Sequence, residues 1–489
     1  MKRIHTTLIF LFLMAIGARS QQVLDLSKAI ELARLQSVDA AVALNELKTA
    51  YWEYRTYRAD YLPEVSLEAT LPNYQRSYNL YQTEDGDYKY VRSNLLQMSS
   101  ALSIDQNLWL TGGKLSLNTS LQYMDPLAGN SKHYFMSVPL GITLSQPLFG
   151  INEMKWKRRI EPTRYKEAKA AYIENTEEVT LKAINLYFQL LLAKENVNIA
   201  HQNKINSDKL LGIAETKRKM GQLSENELLQ LKLSALKATS EVTNEQSGLK
   251  AAMFQLRAFL GLSENDSIDP VIPNAEYYST LEYNSVLQKA KENNAFAQNV
   301  RRRQLEADYQ VAKANGEQRD IEVFASFGYT GQDEDLYNTY RNPIDYQVVQ
   351  IGIKSPILDW GKRKGKVKVA ESNREVIISK LKQEQLNFNQ NVFLLVEQFN
   401  NQSAQLKIAE EADEIAQKRY KTSIESFMIG KINTLDLNDA QLSKDEARSK
   451  HISELHLYWY YMYQIRSLTL YDFEKSKDIT AEFESLVRR

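Results

Sequence analysis

Two hydrophobic periods alternate along this chain. Between Val23 and Asp60 the apolar residues Leu26, Ile30, Ala33, Val38, Val42 and Leu47 return near helical spacing, behind an Asp25 suited to N-capping. Pro63 stops this helix, and the period drops to two. Val65, Leu67, Ala69 and Leu71 alternate with Glu64, Ser66, Glu68 and Thr70, which predicts a strand with one apolar face. Three more such segments follow. One carries Leu102, Ile104 and Leu108, and the next carries Leu115, Leu117, Leu121 and Tyr123 after the turn Thr111-Gly112-Gly113. The last carries Val138, Leu140, Ile142, Leu144 and Leu148. Each is about 10–12 residues long, near the 9–11 that cross a bilayer at a tilt. Polar, tyrosine-rich loops are expected at Tyr74–Asn94 and Asp125–Tyr134.

Helical spacing resumes at Ile151, and no proline falls between Pro162 and Pro270. After a linker at Ile268–Ala275 the same programme restarts. A helix is expected over Glu282–Asn315, then strands at Ile321, Val323, Ala325, Phe327, Tyr329 and at Val349, Ile351, Ile353, with a polar loop Gly331–Tyr346 between them. From Lys366 to Arg489 there is no proline and a single glycine, Gly430. The two runs flanking it are long enough for rods of roughly 90 Å at 1.5 Å per residue. The simplest arrangement is a helical hairpin with its tip near Gly430. Leu381, Phe388, Val392, Leu395, Phe399, Leu406 and Ala409 trace a packing seam along it.

The halves are related. Pro147 and Pro356 are 209 residues apart, as are Gly221 and Gly430, Leu228 and Leu437, and Leu233 and Leu442. The earlier helices match at 257, as in Ala33 with Ala290 and Ala50 with Ala307. The difference of 48 places extra residues between Pro63 and Pro147, enough for an additional β-hairpin. Several turn residues at one offset imply a duplication of helix, strands and long helical hairpin. The domain reading is therefore 1–20 leader, 21–275 first repeat and 276–489 second repeat.

Composition narrows the address. Met1–Ser20 reads as a secretory signal, with Lys2 and Arg3 before the apolar run Leu8–Ile16 and Ala18-Arg19-Ser20 at the cleavage site. Removing its three basic residues leaves 58 basic against 61 acidic, a balance that gives no reason to expect nucleic acid. Without cysteine there is no disulfide, thiolate metal site or catalytic Cys. Beyond the leader no run of 18 apolar residues occurs, so entry into a bilayer would require a closed β-barrel. The five histidines show no metal-ligand spacing on a helix face, and no phosphate loop, GxSxG or HExxH is present. No enzyme and no cofactor is expected.

With duplicated halves, a leader and barrel-like strands joined to very long helices, the chain resembles an outer-membrane efflux protein of the TolC family. The most specific marks are Ser145-Gln146-Pro147-Leu148-Phe149, and Gly430 followed by Asp436 and Asp439-Ala440. The resemblance covers essentially the whole mature chain. It implies an all-α tunnel of very long helices plus transmembrane β-barrel strands, with two structural repeats per chain. Family proteins are homotrimers whose chains each give four strands to one shared 12-stranded barrel set in outer-membrane lipid. They conduct small molecules or proteins outward, docked to a periplasmic adaptor (membrane fusion) protein and an inner-membrane pump of RND or ABC type. The 48-residue insertion departs from that pattern, either adding wall strands or forming an extracellular hairpin.

Asp436 and Asp439 match the family positions of an acidic periplasmic gate. Acids in a first helical turn also offset the helix dipole, so the spacing alone leaves both readings open. Glu227 and Gln230 occupy the equivalent first-half sites, and Ile432 replaces a basic residue common in the family. Gly221 with Leu223 and Gly430 with Ile432 mark the hairpin tips expected to meet the adaptor, although a tight turn by itself requires glycine. Pro63, Pro147 and Pro356 mark the barrel–tunnel junctions. Trp109, Phe149 and Trp360 stand where an interfacial aromatic girdle belongs. A periplasmic coiled-coil scaffold without channel activity is the alternative reading.

Overall fold

The computed structural model describes residues 22–488 apart from 84, 128–131, 264, 265, 267, 275–279, 319, 320 and 354–357. The expected leader Met1–Ser20, the junction residue Pro356 and the 275/276 repeat boundary lie outside the described residues. In chain order the elements are β1 (Gln22–Leu24), α1 (Leu26–Gln36), α2 (Val38–Ala59), β2 (Glu64–Gln82), β3 (Tyr88–Leu108), β4 (Gly113–Pro126) and β5 (Tyr134–Pro147). Then come α3 (Glu153–Lys219), α4 (Glu225–Leu260), β6 (Ile268–Pro270), α5 (Tyr283–Asn293), α6 (Ala295–Gly316), β7 (Ile321–Asp333), α7 (Leu336–Arg341) and β8 (Ile344–Ile353). The chain ends with α8 (Lys362–Met428), α9 (Thr434–Thr469), β9 (Tyr471–Asp472), β10 (Lys477–Asp478) and α10 (Phe483–Arg488). Helix lengths of 11, 22, 67 and 36 residues occur in that order in each half.

Where the sequence predicts one helix before each strand set, two form. Ser37 leaves helical geometry at φ −68° and ψ 149°, and its Oγ accepts the Ala40 N–H at 3.1 Å. Asn294 does the same in the second half, its Oδ1 accepting the Phe296 N–H at 2.8 Å. A polar side chain that closes one helix and caps the next competes locally with the helical ladder. The break also turns Val38 and Val42 outward, although the predicted stripe places them on the buried face.

The described residues form two compact units: those within 22–49, 167–297 and 384–488 make one, and those within 50–166 and 298–383 the other. In the first unit a continuous core gathers Leu26, Ile30 and Ala33 of α1 with Ile184, Tyr187 and Leu191 of α3. Leu256 of α4, Val392, Phe399 and Leu406 of α8, and Ile452, Leu455 and Tyr458 of α9 complete it. Tyr458 is fully buried and stacks on Phe399 at 5.9 Å, so that ring is packing. The strand β1 pairs in parallel with β6, which ties the start of the described chain to the linker between halves. The Tyr187 hydroxyl supports this short pair. It accepts the Val271 N–H at 3.0 Å and lies 2.6 Å from the Val271 carbonyl and 3.0 Å from that of Leu24.

The second unit holds one antiparallel sheet in the order β2-β3-β4-β5-β7-β8. The expected loop Tyr74–Asn94 is mostly ladder. β2 and β3 stay in register from Asn73 with Gln97 out to Gln82 with Tyr88, turning at Gly86. Alternating tyrosines and polar residues satisfy a two-sided solvated ribbon as well as a loop, so the composition did not discriminate. The expected loop Gly331–Tyr346 likewise contains the helix α7, whose N-cap Asp335 accepts from the Tyr337 and Asn338 N–H groups.

Two outcomes follow from the first unit. Tyr187→Phe removes the hydroxyl that accepts the Val271 N–H and lies within hydrogen-bond distance of the Val271 and Leu24 carbonyls. With the Val271 N–H still bonded to the Leu24 carbonyl at 3.3 Å, the substitution is expected to lower unfolding free energy by about 0.5–1.5 kcal/mol, measurable by denaturant titration in detergent. Glu174 has its carboxyl pushed up to about 7 by burial, with the Glu178 carboxylate adding to the effect and an Asn294 hydrogen bond opposing it. A folded pKa above the unfolded value makes stability fall as pH rises, beginning near the ordinary carboxylate pKa and complete above about 7. Glu174→Gln should therefore raise Tm at pH 8 and leave it unchanged near pH 4.5; an equal effect at both values would contradict this.

Candidate functional site: the hairpin tips and the two-faced sheet

Both hairpin tips are built alike. At the end of α3 the Gln222 N–H bonds the Lys217 carbonyl at 2.9 Å and the Gly221 N–H bonds that of Arg218 at 3.0 Å. At the end of α8 Lys431 bonds Ser426 at 2.9 Å and Gly430 bonds Phe427 at 3.0 Å. These paired bonds close a helix through a residue of positive φ, here 71° at Gly221 and 77° at Gly430. A Cβ at either glycine would meet nothing within 4 Å, so the requirement is dihedral and not steric.

The next helix then starts with a cap in each case. Ser224 and Glu227 form a reciprocal capping box on α4, and hydrogen bonds from the Ser224 hydroxyl and backbone hold the Glu227 carboxyl below its ordinary range. Glu227, the first-half counterpart of Asp436, is thus occupied with its own helix. On α9 the cap is Asn433, whose side chain accepts from the Leu435 and Asp436 N–H groups at 2.8 and 2.9 Å. That leaves the Asp436 carboxylate without a capping role, and no ion pair reaches it among the described residues. Asp439, one turn on, is also exposed but is held by Arg419 of α8 at 2.5 Å. Arg419 also reaches the Ser443 hydroxyl at 3.1 Å.

The expected tip residues separate into two kinds. Leu223 and Ile432 are half-buried against a cluster of Leu210, Ala214, Leu231, Tyr420, Phe427 and Leu437, which packs the two hairpins together. Their neighbours Met220 and Ile429, 209 apart in sequence, are instead 59% and 67% exposed. Above the cluster polar contacts link α3 with α8 and α9. Asn206 donates to the Tyr420 hydroxyl at 3.1 Å, Asn203 donates to Asp445 at 2.6 Å, and Arg448 bridges the buried Asp413 and Glu195 at 3.1 and 3.5 Å. Sequence reasoning missed this belt because its members are scattered polar residues on helices already rich in them.

In the other unit the register sorts the sheet into two faces. Val65, Ile104, Leu117, Ile142 and Phe327 lie in one cross-strand row, and all five are exposed. Leu67, Leu102, Leu140, Val349 and Ile351 share that face. The opposite face carries Glu64, Asp105, Ser116, Thr143 and Ser326 in one row. Hydroxyls lace it together: Ser66 with Ser103 at 2.7 Å, Thr143 with Ser326 at 3.1 Å, and Ser145 with Glu322. Glu64, Glu68, Asp105 and Glu322 lie on this face with Lys114, which pairs Asp105 at 3.1 Å.

At the sheet base Pro63 lies between the end of α2 and the start of β2, and Pro147 is the last residue of β5. The turn after β3 is tied down by Asn152, which donates to the Trp109 and Leu110 carbonyls at 2.9 and 3.1 Å. Trp109 is exposed with Arg158 over its ring at 4.8 Å, and Phe149 and Trp360 are exposed as well. Among the described residues no helix is long and apolar enough to cross a membrane, and no group of three His, Cys, Asp or Glu side chains is placed to hold a metal.

Comparison with known proteins agrees with this architecture. The structure resembles the CmeC outer membrane channel of Campylobacter jejuni at 14% identity, with TM-score 0.67 over 95% of this chain and 88% of that one. It resembles the outer membrane protein VceC of Vibrio cholerae at 15% identity, with TM-score 0.62 over 91% and 95%. CusC matches at 15% identity, with TM-score 0.64 over 91% of each chain. Curated proteins give no match to the sequence. The family model for outer membrane efflux proteins matches residues 29–262 and 286–456. The chain belongs to the outer membrane efflux protein family.

Proposed function

We propose that the protein is a passive exit duct of a tripartite efflux or type I secretion system, carrying small molecules such as drugs and toxic compounds out of the cell. It resides in the outer membrane with its helices forming a periplasmic tunnel, as its family does. The observation that carries the reading is the sheet: an exposed apolar face backed by a hydroxyl- and carboxylate-lined one, in a chain with 67-residue helices. An apolar outside and a polar inside are what a barrel wall presents to lipid and to water. A homotrimer closes that wall, each chain contributing the repeats 21–275 and 276–489. Energy comes from partners, a periplasmic adaptor and an inner-membrane pump of RND or ABC type. The exposed pair Met220 and Ile429 beside Gly221 and Gly430 offers the adaptor an apolar contact at equivalent places in both hairpins.

Asp436 and Asp439 form the gate in this reading. Three copies bring six carboxylates together, a ring that binds cations and repels anions. The Asp439 charge is offset within its own chain by Arg419, so Asp436 carries the larger share. In planar bilayers the double variant Asp436→Ala with Asp439→Ala is expected to weaken block by multivalent cations at least about tenfold, roughly 1.4 kcal/mol. Asp436→Ala alone should account for more of this than Asp439→Ala. Unchanged block in the double variant would reject the gate assignment, and a soluble periplasmic protein without conductance would sink the duct.

A further inference from the structure

We infer that this chain closes a wider barrel than four strands per chain would build, through an edge contact between β2 of one copy and β8 of the next. Six strands from each of three copies then make an 18-stranded wall. This rests on the trimeric duct reading above and specifies the interface that completes it.

The argument is one of backbone hydrogen bonds. For a 12-stranded barrel two of the six strands must lie outside the wall, and a neighbouring copy must pair with an inner strand such as β4. Both edges of β4 are already taken. β3 pairs with it from Gly113 to Pro126, and β5 pairs with it from Lys114 to Met124. β3 is likewise filled on its other side by β2, from Glu64 with Asp105 onward. The open edges are those of β2 and β8, the two ends of the sheet. Within hydrocarbon an unpaired edge is not tolerated, because each orphaned peptide group has no water to turn to.

Side-chain polarity agrees. The apolar face runs without interruption through the additional strands, as the row Val65, Ile104, Leu117, Ile142 and Phe327 shows. A hairpin displaced into water would have no use for Val65, Leu67, Leu102 and Ile104 on one exposed side. The edges also match each other. Val65, Leu67 and Ala69 on β2, and Val349 and Ile351 on β8, turn apolar side chains to the same face. Six strands of alternating direction leave β2 antiparallel to β8 of the next copy, so the head-to-tail contact repeats and closes. Barrel diameter grows roughly linearly with strand number, so the lumen is about half as wide again as a 12-stranded one. The β2–β3 ribbon continues beyond the end of β4, where Pro126 faces Leu95, and places three such ribbons around the mouth.

Engineered cysteines test this directly, since the chain contains none. Leu67→Cys is combined in one chain with Val348→Cys, Val349→Cys or Gln350→Cys in turn, and the purified detergent-extracted protein is oxidised. β2 and β8 of one copy are separated by five strand spacings, about 24 Å, far beyond disulfide reach, so any bond between them joins copies. The expected result is reductant-sensitive covalent trimers for at least one of the three pairs. Covalent trimers from Leu117→Cys with the same β8 positions, and none from Leu67→Cys, would overturn the 18-stranded wall and leave the trimeric duct standing. A monomeric mass by light scattering, with no cross-link from either set, would overturn the duct reading too. Electron microscopy of the unmodified trimer covers variants that do not assemble: 18 strands in the wall supports the inference, and 12 refutes it.

Discussion

Each peptide group along most of β3, β4, β5 and β7 has a strand on either side, so below the β2–β3 ribbon the open edges of the sheet are those of β2 and β8. Much else follows from that distribution. Saturated strands fix the register, and the register sets which side chains share a face. A slip of one residue would exchange Val65 and Leu67 for Glu64 and Ser66 and mix the two faces. The bulges at Thr70/Asn73, Asn118/Ser120 and Ser137/Leu140 bend the strands without mixing those faces.

The helical unit uses a different economy. Its long helices have little amphipathic character over their full length, and their order comes from local devices repeated at each end. Glycines of positive φ close α3 and α8, and side-chain caps start α4 and α9. Between these ends lie a mainly apolar core and a belt of polar contacts. Glu177 shows how a charge survives in that core: it is almost fully buried and receives Arg34 at 2.6 Å, with Arg466 at 3.6 Å on its other oxygen. Removing one partner of such a group is far more destabilising than the pair is stabilising.

The two repeats share lengths and turns but not chemistry at their tips. Glu227 is engaged with Ser224 in a capping box, whereas the cap of α9 is Asn433 and releases Asp436 from that duty. The two halves thereby share one backbone solution and use their acidic residues differently. Leu223 and Ile432 are drawn into the packing that joins the hairpins, while Met220 and Ile429 remain available at the surface.

Periodicity by itself determined the alternation of long helices and strands, the twin tips at Gly221 and Gly430, and the apolar face of each strand. These are one-dimensional properties, set by side-chain spacing and by the few residues that tolerate positive φ. The breaks at Ser37 and Asn294, the ladder through the expected Tyr74–Asn94 loop, and the helix α7 depended on local competition between side chain and backbone. Composition does not resolve that competition. Only the tertiary structure decided that the extra strands lie in the sheet, that Asp439 is held by Arg419 while Glu227 caps its own helix, and that Leu223 and Ile432 face inward. Each of these depends on which distant segment arrives alongside, and hydrogen bonds between segments far apart in sequence leave no period in either one.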